Sequence, residues 1–204
     1  YPLACVVAGL AKHEAANPPA DGGATFSEIW TNVLTCASPF TVPLTPSVPD
    51  SAGEAELMSA LGFREKAGED ESFDAFLKRT EALVNIAASV LCASSAAARD
   101  CGRWLDAFLA GVGGRAPIYA CPVLASFLAV ARGALGGARE EVAGRVREVL
   151  GRADQGVVGK PSHVRLEKLI KDWLGPEGGK MPEGVCEAFY GRDVVAGAGG
   201  GGGG

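Results

Sequence analysis

The stretch SFDAFLKRTEALVNIAASVL, residues 72–91, decides the fold class of this chain. Its apolar residues recur at spacings of three and four, the pattern of an amphipathic α-helix with a wide apolar face. Ser72 can cap the helix, and Glu71 and Asp74 place negative charge at the positive end of the helix dipole. The apolar face consists of Phe73, Phe76, Leu77, Thr80, Leu83, Val84, Ala87 and Leu91. Such a helix is stable only when other helices bury that face, so the rest of the chain must supply them.

The segments before this helix also have apolar residues at helical spacings. The sequence predicts a helix over residues 2–14, a second opened by the capping box of Thr25 and Glu28, and a short one over 54–61 that ends at Gly62. The residues expected to face inward on the first two helices are Leu3, Val6, Val7, Leu10, Phe26, Ile29, Trp30, Val33 and Leu34.

Residues 37–53 carry four prolines, which exclude a regular helix and favour an extended path. The interleaved Phe40, Val42, Leu44 and Val48 predict that this segment lies over the helical body rather than acting as a linker.

Four helical patterns follow the central helix. Asp100 and Ser162 are the expected caps of the first and the last of them. Residues 119–135 are almost wholly apolar, which predicts a buried central helix. Residues 138–150 alternate valines with arginines and glutamates, which predicts a surface helix with ion pairs at spacings of three and four.

The sequence therefore predicts an all-α fold, because we find no alternating strand pattern and read residues 65–71 as a charged loop. Sequential helices with short loops favour an antiparallel helical stack, HEAT-like in arrangement. We expect one helical domain over residues 1–192 and a flexible glycine-rich tail over 193–204.

The amino-acid composition disfavours several classes of function. The 204 residues carry a formal charge of −5, which does not favour a general nucleic-acid binder, and no apolar run is long enough to span a bilayer. Six cysteines show no metal-ligand spacing, so we expect buried thiols, no bound metal and a reducing compartment. Because the chain begins with Tyr1 rather than Met, we expect it to be a fragment of a longer protein.

One helix carries a basic cluster that could meet an acidic partner or a phosphate. Its candidate residues are Lys160, Arg165, Lys168 and Lys171, with His163 among them. The alternative interpretation is an ordinary solvated helix face. No nucleophile or carboxylate constellation accompanies His163, and the glycine-rich stretches lack the context of a phosphate loop. The sequence therefore does not indicate an enzyme.

A series of short motifs occurs in the order found in one known family. The motifs are Tyr1-Pro2-Leu3-Ala4, CASPFTVPLTP at 36–46, Leu61-Gly62-Phe63, Phe76-Leu77-Lys78-Arg79 with Ala87-Ala88, Arg103-Trp104-Leu105, Val164-Arg165-Leu166 and Pro182-Glu183-Gly184. On these residues the chain resembles the C-terminal domain of the Gle-one family of nuclear-pore mRNA export mediators.

The resemblance implies a helical domain related to the middle domain of a translation-initiation scaffold. It also implies that the domain binds and stimulates a DEAD-box RNA-dependent ATPase at the cytoplasmic face of the nuclear pore complex, where exported mRNPs are remodelled. Nucleoporins and translation factors are further implied partners, with no direct DNA binding and no membrane insertion. The alternative is a helical scaffold that binds a nucleoporin or a translation factor without activating an ATPase.

Inositol hexakisphosphate is the cofactor that the resemblance implies. The family often carries a Lys-Lys pair just before the motif that resembles residues 36–46, and here Leu34 and Thr35 stand in that place. A polyanion of this kind needs several clustered cations, so the sequence predicts weak binding of inositol hexakisphosphate to this chain.

Overall fold

The computed structural model describes residues 2–17, 26–42, 53–66, 69–112, 117–153 and 160–175. The regular secondary structure of this part of the chain is helical apart from one short hairpin, so the predicted all-α class is confirmed. The helices are α1 (Pro2–Ala16), α2 (Phe26–Ala37), α3 (Glu54–Leu61), α4 (Phe73–Ala93), α5 (Ala97–Val112), α6 (Ala120–Ala131), α7 (Arg139–Arg152) and α8 (Lys160–Leu174). Leu44, Val48, the closing motif at 182–184 and the tail at 193–204 lie outside the described residues.

Two helix ends are those that the sequence predicts. The Ser72 hydroxyl accepts a hydrogen bond from the Ala75 amide and caps α4, so one of the unpaired N–H donors of the first turn gains an acceptor. Gly62 ends α3 in the left-handed region with φ 81°, a conformation that favours glycine.

The predicted first residues of two other helices, α5 and α8, are wrong. α5 begins at Ala97, not after Asp100, because Ser94 already turns the chain: its hydroxyl accepts from the Ala96 amide. α8 begins at Lys160, before Ser162, and Pro161 suits this first turn because its ring presets the helical φ.

The predicted charged loop at 65–71 is also corrected. It contains the hairpin of β1 (Glu65–Lys66) and β2 (Glu69–Asp70), an antiparallel ladder only two residues long. So short a ladder leaves no room for the alternating pattern by which strands are recognised.

α4 and α6 form the centre of the fold. α4 packs against α6, α1, α5 and α2, and α6 packs against α8 and α7 as well. Eleven of the twelve residues of α6 are buried, which confirms the predicted buried central helix. A smaller apolar cluster joins Val7 of α1, Leu34 of α2 and Ile86 of α4.

Residues 38–42, the described start of the proline-rich segment, lie over this core, as the apolar residues of that segment predict. Phe40 is fully buried and contacts the rings of Phe76 and Tyr119, with centroids 6.5 Å and 4.7 Å away. Trp104 of α5 donates its indole N–H to the Thr41 carbonyl at 3.3 Å. These contacts hold the start of the proline-rich segment against the helices.

Several apolar residues predicted to face inward are exposed instead. Val6 and Leu10 on α1, and Ile29 and Val33 on α2, are each about half exposed, whereas Val7 and Leu34 are buried. α1 and α2 join the apolar cluster on α4 through Val7 and Leu34, so only part of each apolar face is covered. The side chains of Leu3 and Phe26 lie outside the described residues.

α7 is a surface helix with Val142, Val146 and Val149 buried, as predicted. Within the described structure, Arg145 of α7 pairs with Asp106 on α5 and Arg139 pairs with its neighbour Glu140, rather than at the predicted spacings of three and four.

No single helix among the described residues is long and apolar enough to cross a membrane. One pair, Ala120–Ala131 with Gly136–Arg152, has sufficient length and apolar composition only when taken together, and the two parts meet at a bend of 119°.

Candidate functional site

A groove runs between α4, α6 and α8, and we refer to it as the α8 groove. It consists of two adjoining cavities of about 630 Å³ and 270 Å³ that share Ala129, Arg165 and Leu169 in their walls. Its floor is formed by small residues of α6, and its rims by polar residues of α4 and α8. The groove is thus built from helices whose buried faces are fixed by the core.

Arg165 lies at the middle of the groove. Its guanidinium donates to Glu81 Oε2 at 3.1 Å and to the Ser126 hydroxyl at 3.0 Å, so one side chain connects α8 with α4 and α6. The Arg165 side chain is 48% exposed and that of Glu81 is 24% exposed. A pair this open to water adds little stability, on the order of 1 kcal/mol or less. Its main effect is to fix where the guanidinium points.

Three more cations line the groove. Lys78 is on α4, Arg132 follows the end of α6, and Lys168 is one turn beyond Arg165 on α8. The carboxylates in the same walls are those of Glu81 and Asp172. Four cations against two carboxylates make the groove locally positive, although the whole chain carries −5. A local potential of this sign attracts acidic surfaces.

Two polar atoms of the groove residues have unused hydrogen-bonding capacity. Asn85 Oδ1 and Arg132 Nε are buried, and neither has a hydrogen-bond partner within the described parts of the chain. A buried polar group left unpaired costs about 1–3 kcal/mol. One acceptor and one donor of the groove residues therefore stay unpaired within the described part of the chain.

The predicted basic residues of α8 separate into two groups. Arg165 and Lys168 line the groove. Lys171 is exposed but is not in the walls described above, and the side chain of Lys160 lies outside the described residues. His163 is half-buried, and its Nδ1 has no hydrogen-bond partner among the residues described.

Sequence reasoning missed Lys78 and Arg132 as members of this site. Lys78 stands beside Arg79 on α4, Arg132 follows the apolar α6, and each is far from α8 along the chain. Only the packing of α4 and α6 against α8 brings them together.

A second cavity of about 410 Å³ lies between α2, α4 and α5, beside Trp104. Its walls are mostly apolar, with Asp100 and Arg103 at one rim. The Ser94 hydroxyl donates to Asp100 and, together with Arg99, holds the pKa of that carboxyl below its usual range. Asp100 is thus already engaged, and Trp104 is a core residue stacked on Phe127 with centroids 3.8 Å apart.

The strongest ion pair of the described structure lies elsewhere, between Arg79 and Glu71. Arg79 donates to both Glu71 oxygens and also to the carbonyls of Ala37 and Gly62. The hydrogen bond from Arg79 holds the pKa of Glu71 below its ordinary value of 4.5. Because all three guanidinium nitrogens donate to structural partners, we assign this cluster to stability rather than to binding.

The described residues contain no group of three metal-ligating side chains. Of the cysteines, Cys36 is exposed, whereas Cys92, Cys101 and Cys121 are buried, as predicted for most of them. Burial raises the pKa of the Cys121 thiol. Cys5 and Cys186 lie outside the residues whose side chains are described.

No protein-family model matches the chain, and neither a curated protein nor a solved structure shows significant similarity to it. The family resemblance therefore rests on the short motifs and their order alone.

Proposed function

We propose that this chain is a non-catalytic helical domain that binds a protein partner through the α8 groove. The observation that carries the proposal is the locally positive groove on a chain of net negative charge. Such a surface orients an acidic partner and speeds its association without needing any catalytic group.

The partner that the family resemblance favours is a DEAD-box RNA-dependent ATPase. In this proposal the domain acts in mRNA export at the cytoplasmic face of the nuclear pore complex, where it stimulates the ATPase and so promotes the remodelling of exported mRNPs. Such an ATPase has two lobes, and an activator that binds the open arrangement more tightly shifts the population toward it and speeds product release. We further propose that the helices stack as in HEAT-like domains and translation-initiation scaffolds.

The test is an ATPase assay with the cognate DEAD-box protein, RNA and the chain in excess. The proposal predicts that the chain raises RNA-stimulated turnover and that higher salt weakens the effect, because the groove contacts are charged. Binding without stimulation would favour the second candidate, a scaffold for a nucleoporin or a translation factor. Neither binding nor stimulation would end the export proposal for this chain.

A charge reversal connects this test to the groove. The variant Lys168→Glu together with Lys171→Glu should bind the ATPase more weakly and keep a helix-dominated far-ultraviolet circular dichroism spectrum, since both side chains are exposed. If the reversed variant stimulates as well as the wild type, the partner binds somewhere other than α8.

A further inference from the structure

The contact between α4 and α5 places two buried cysteines side by side. Cys92 is in the last turn of α4 and is 8% exposed, and Cys101 is in the second turn of α5 and is fully buried. Their Sγ atoms are 3.7 Å apart. The two helices are joined by only the three residues 94–96, so this pair is held by a short connection.

The hydrogen bonds show how the two thiols are arranged. Cys92 Sγ donates toward the Val130 carbonyl of α6 at 4.0 Å, so the Cys101 thiol is left to donate to Cys92 Sγ. The hydrogen bond to Cys92, and then burial, raise the pKa of the Cys101 thiol. The Cys101 thiol is therefore protonated at neutral pH, and reaction must begin when the α4–α5 turn opens to solvent.

We propose that Cys92 and Cys101 form an intramolecular dithiol–disulfide site that a small disulfide oxidant, such as glutathione disulfide, can oxidise. An S–S bond is about 2.05 Å long, so the sulfurs must approach each other by roughly 1.65 Å in all. Because α4 and α5 already hold the two sulfurs 3.7 Å apart, the bond requires a small local movement and no new contact between helices. The proposal rests on this geometry and is independent of the proposed partner.

The reaction follows ordinary thiol–disulfide exchange. The Cys92 thiolate, as the more exposed of the two, attacks glutathione disulfide, which forms a mixed disulfide and releases one glutathione. The Cys101 thiolate then attacks Cys92 Sγ, which forms the intramolecular bond and releases the second glutathione. Two protein thiols are oxidised, one glutathione disulfide is reduced to two thiols, and the two protein protons end on the glutathione sulfurs.

Peptide mapping of the native protein tests the site. The chain is incubated with rising ratios of glutathione disulfide to glutathione, quenched with acid, alkylated in denaturant and digested with trypsin without reductant. Trypsin cleaves after Arg79, Arg99 and Arg103, so Cys92 lies in peptide 80–99 and Cys101 in peptide 100–103. We expect these two peptides to become linked, with a loss of two hydrogens in mass.

Matched variants and an unfolded control complete the test. Cys121→Ala, which alters an equally buried cysteine of α6, should leave the linked peptide unchanged, whereas Cys101→Ala should abolish it. The same wild-type chain in urea should give a smaller fraction of this link, because six cysteines then compete. The proposal is overturned if peptides 80–99 and 100–103 stay separate at the highest ratio, or if the unfolded chain gives an equal fraction.

Discussion

Arg79→Met removes the guanidinium that connects α4 with three other parts of the structure. Arg79 Nε donates to Glu71 Oε1 at 2.9 Å, and the terminal nitrogens donate to the carbonyls of Gly62 at 2.8 Å and Ala37 at 3.3 Å. Methionine keeps an aliphatic side chain of similar length but loses the guanidinium, which lies over the Phe76 ring at 5.8 Å from the centroid. The variant therefore removes the charge, the hydrogen bonds and this ring contact together.

The expected loss of stability follows from burial. The side chains of Arg79 and Glu71 are only 17% and 13% exposed, so the pair lies closer to the buried class than to the surface class of ion pairs. Removing one partner of a fully buried pair costs about 3–5 kcal/mol. Water still reaches this pair, and we discount the loss to about 2–4 kcal/mol. For a chain of this size, that corresponds to a fall in Tm of roughly 4–16 °C.

Chemical denaturation followed by circular dichroism measures this free energy. Arg99→Met is the matched control, because the Arg99 side chain is 70% exposed and pairs only with the neighbouring Asp100 in the described contacts. We expect this control to lose less than about 1 kcal/mol. Arg79→Lys should recover only part of the loss, since a point charge cannot reproduce the guanidinium fork.

A double-mutant cycle refines the interpretation. The loss from Arg79→Met should be smaller in a Glu71→Gln background, because the carboxylate that the arginine neutralises is then absent. If Arg79→Met costs no more than the Arg99 control, or if its loss is the same in both backgrounds, the cluster does not stabilise the fold as described.

Three further predictions concern protonation, packing and the polyanion. Because the pKa of Glu71 is lowered in the folded chain, the stabilising effect of this carboxylate should be complete above pH 4.5, its ordinary pKa, and decline as pH falls through the folded pKa. The difference in stability between wild type and Glu71→Gln, measured by denaturation from about pH 7 to about pH 3, should shrink accordingly, and a constant difference would contradict this prediction. Phe40→Ala should cost about 3–5 kcal/mol in the same assay, since it empties a fully buried site, and a loss below about 1 kcal/mol would show that the segment after α2 does not pack on the core. Calorimetry at physiological salt should show weak or undetectable binding of inositol hexakisphosphate, because Glu81 and Asp172 stand among the groove cations, and submicromolar affinity would refute this.

Local patterns predicted the parts of the fold that depend on neighbours in sequence. The Ser72 cap, the buried α6 and the covering position of Phe40 each follow from a few adjacent residues. Spacing also shows which residues share a helix face. It does not show how much of that face another helix will cover, and for this reason Ile29 and Val33 are exposed despite their inward pattern.

The candidate site was predicted only in part for a similar reason. Arg165 and Lys168 are visible as cations on one helix, but Arg165 is 84 residues from Glu81 and 39 from Ser126 along the chain. Patterns among neighbouring residues do not predict contacts between residues so far apart in sequence. Lys78 and Arg132 were missed for the same reason, because their place in the groove depends wholly on which helices pack together.

The most direct test of the proposed function compares two single charge reversals on the same helix. Lys168→Glu alters a cation in the wall of the α8 groove, and Lys171→Glu makes the same change one turn later, outside the walls described. Calorimetry with the cognate DEAD-box ATPase should show about tenfold weaker binding for Lys168→Glu, about 1.4 kcal/mol, and little change for Lys171→Glu. Equal affinities for both variants and the wild type would contradict the account.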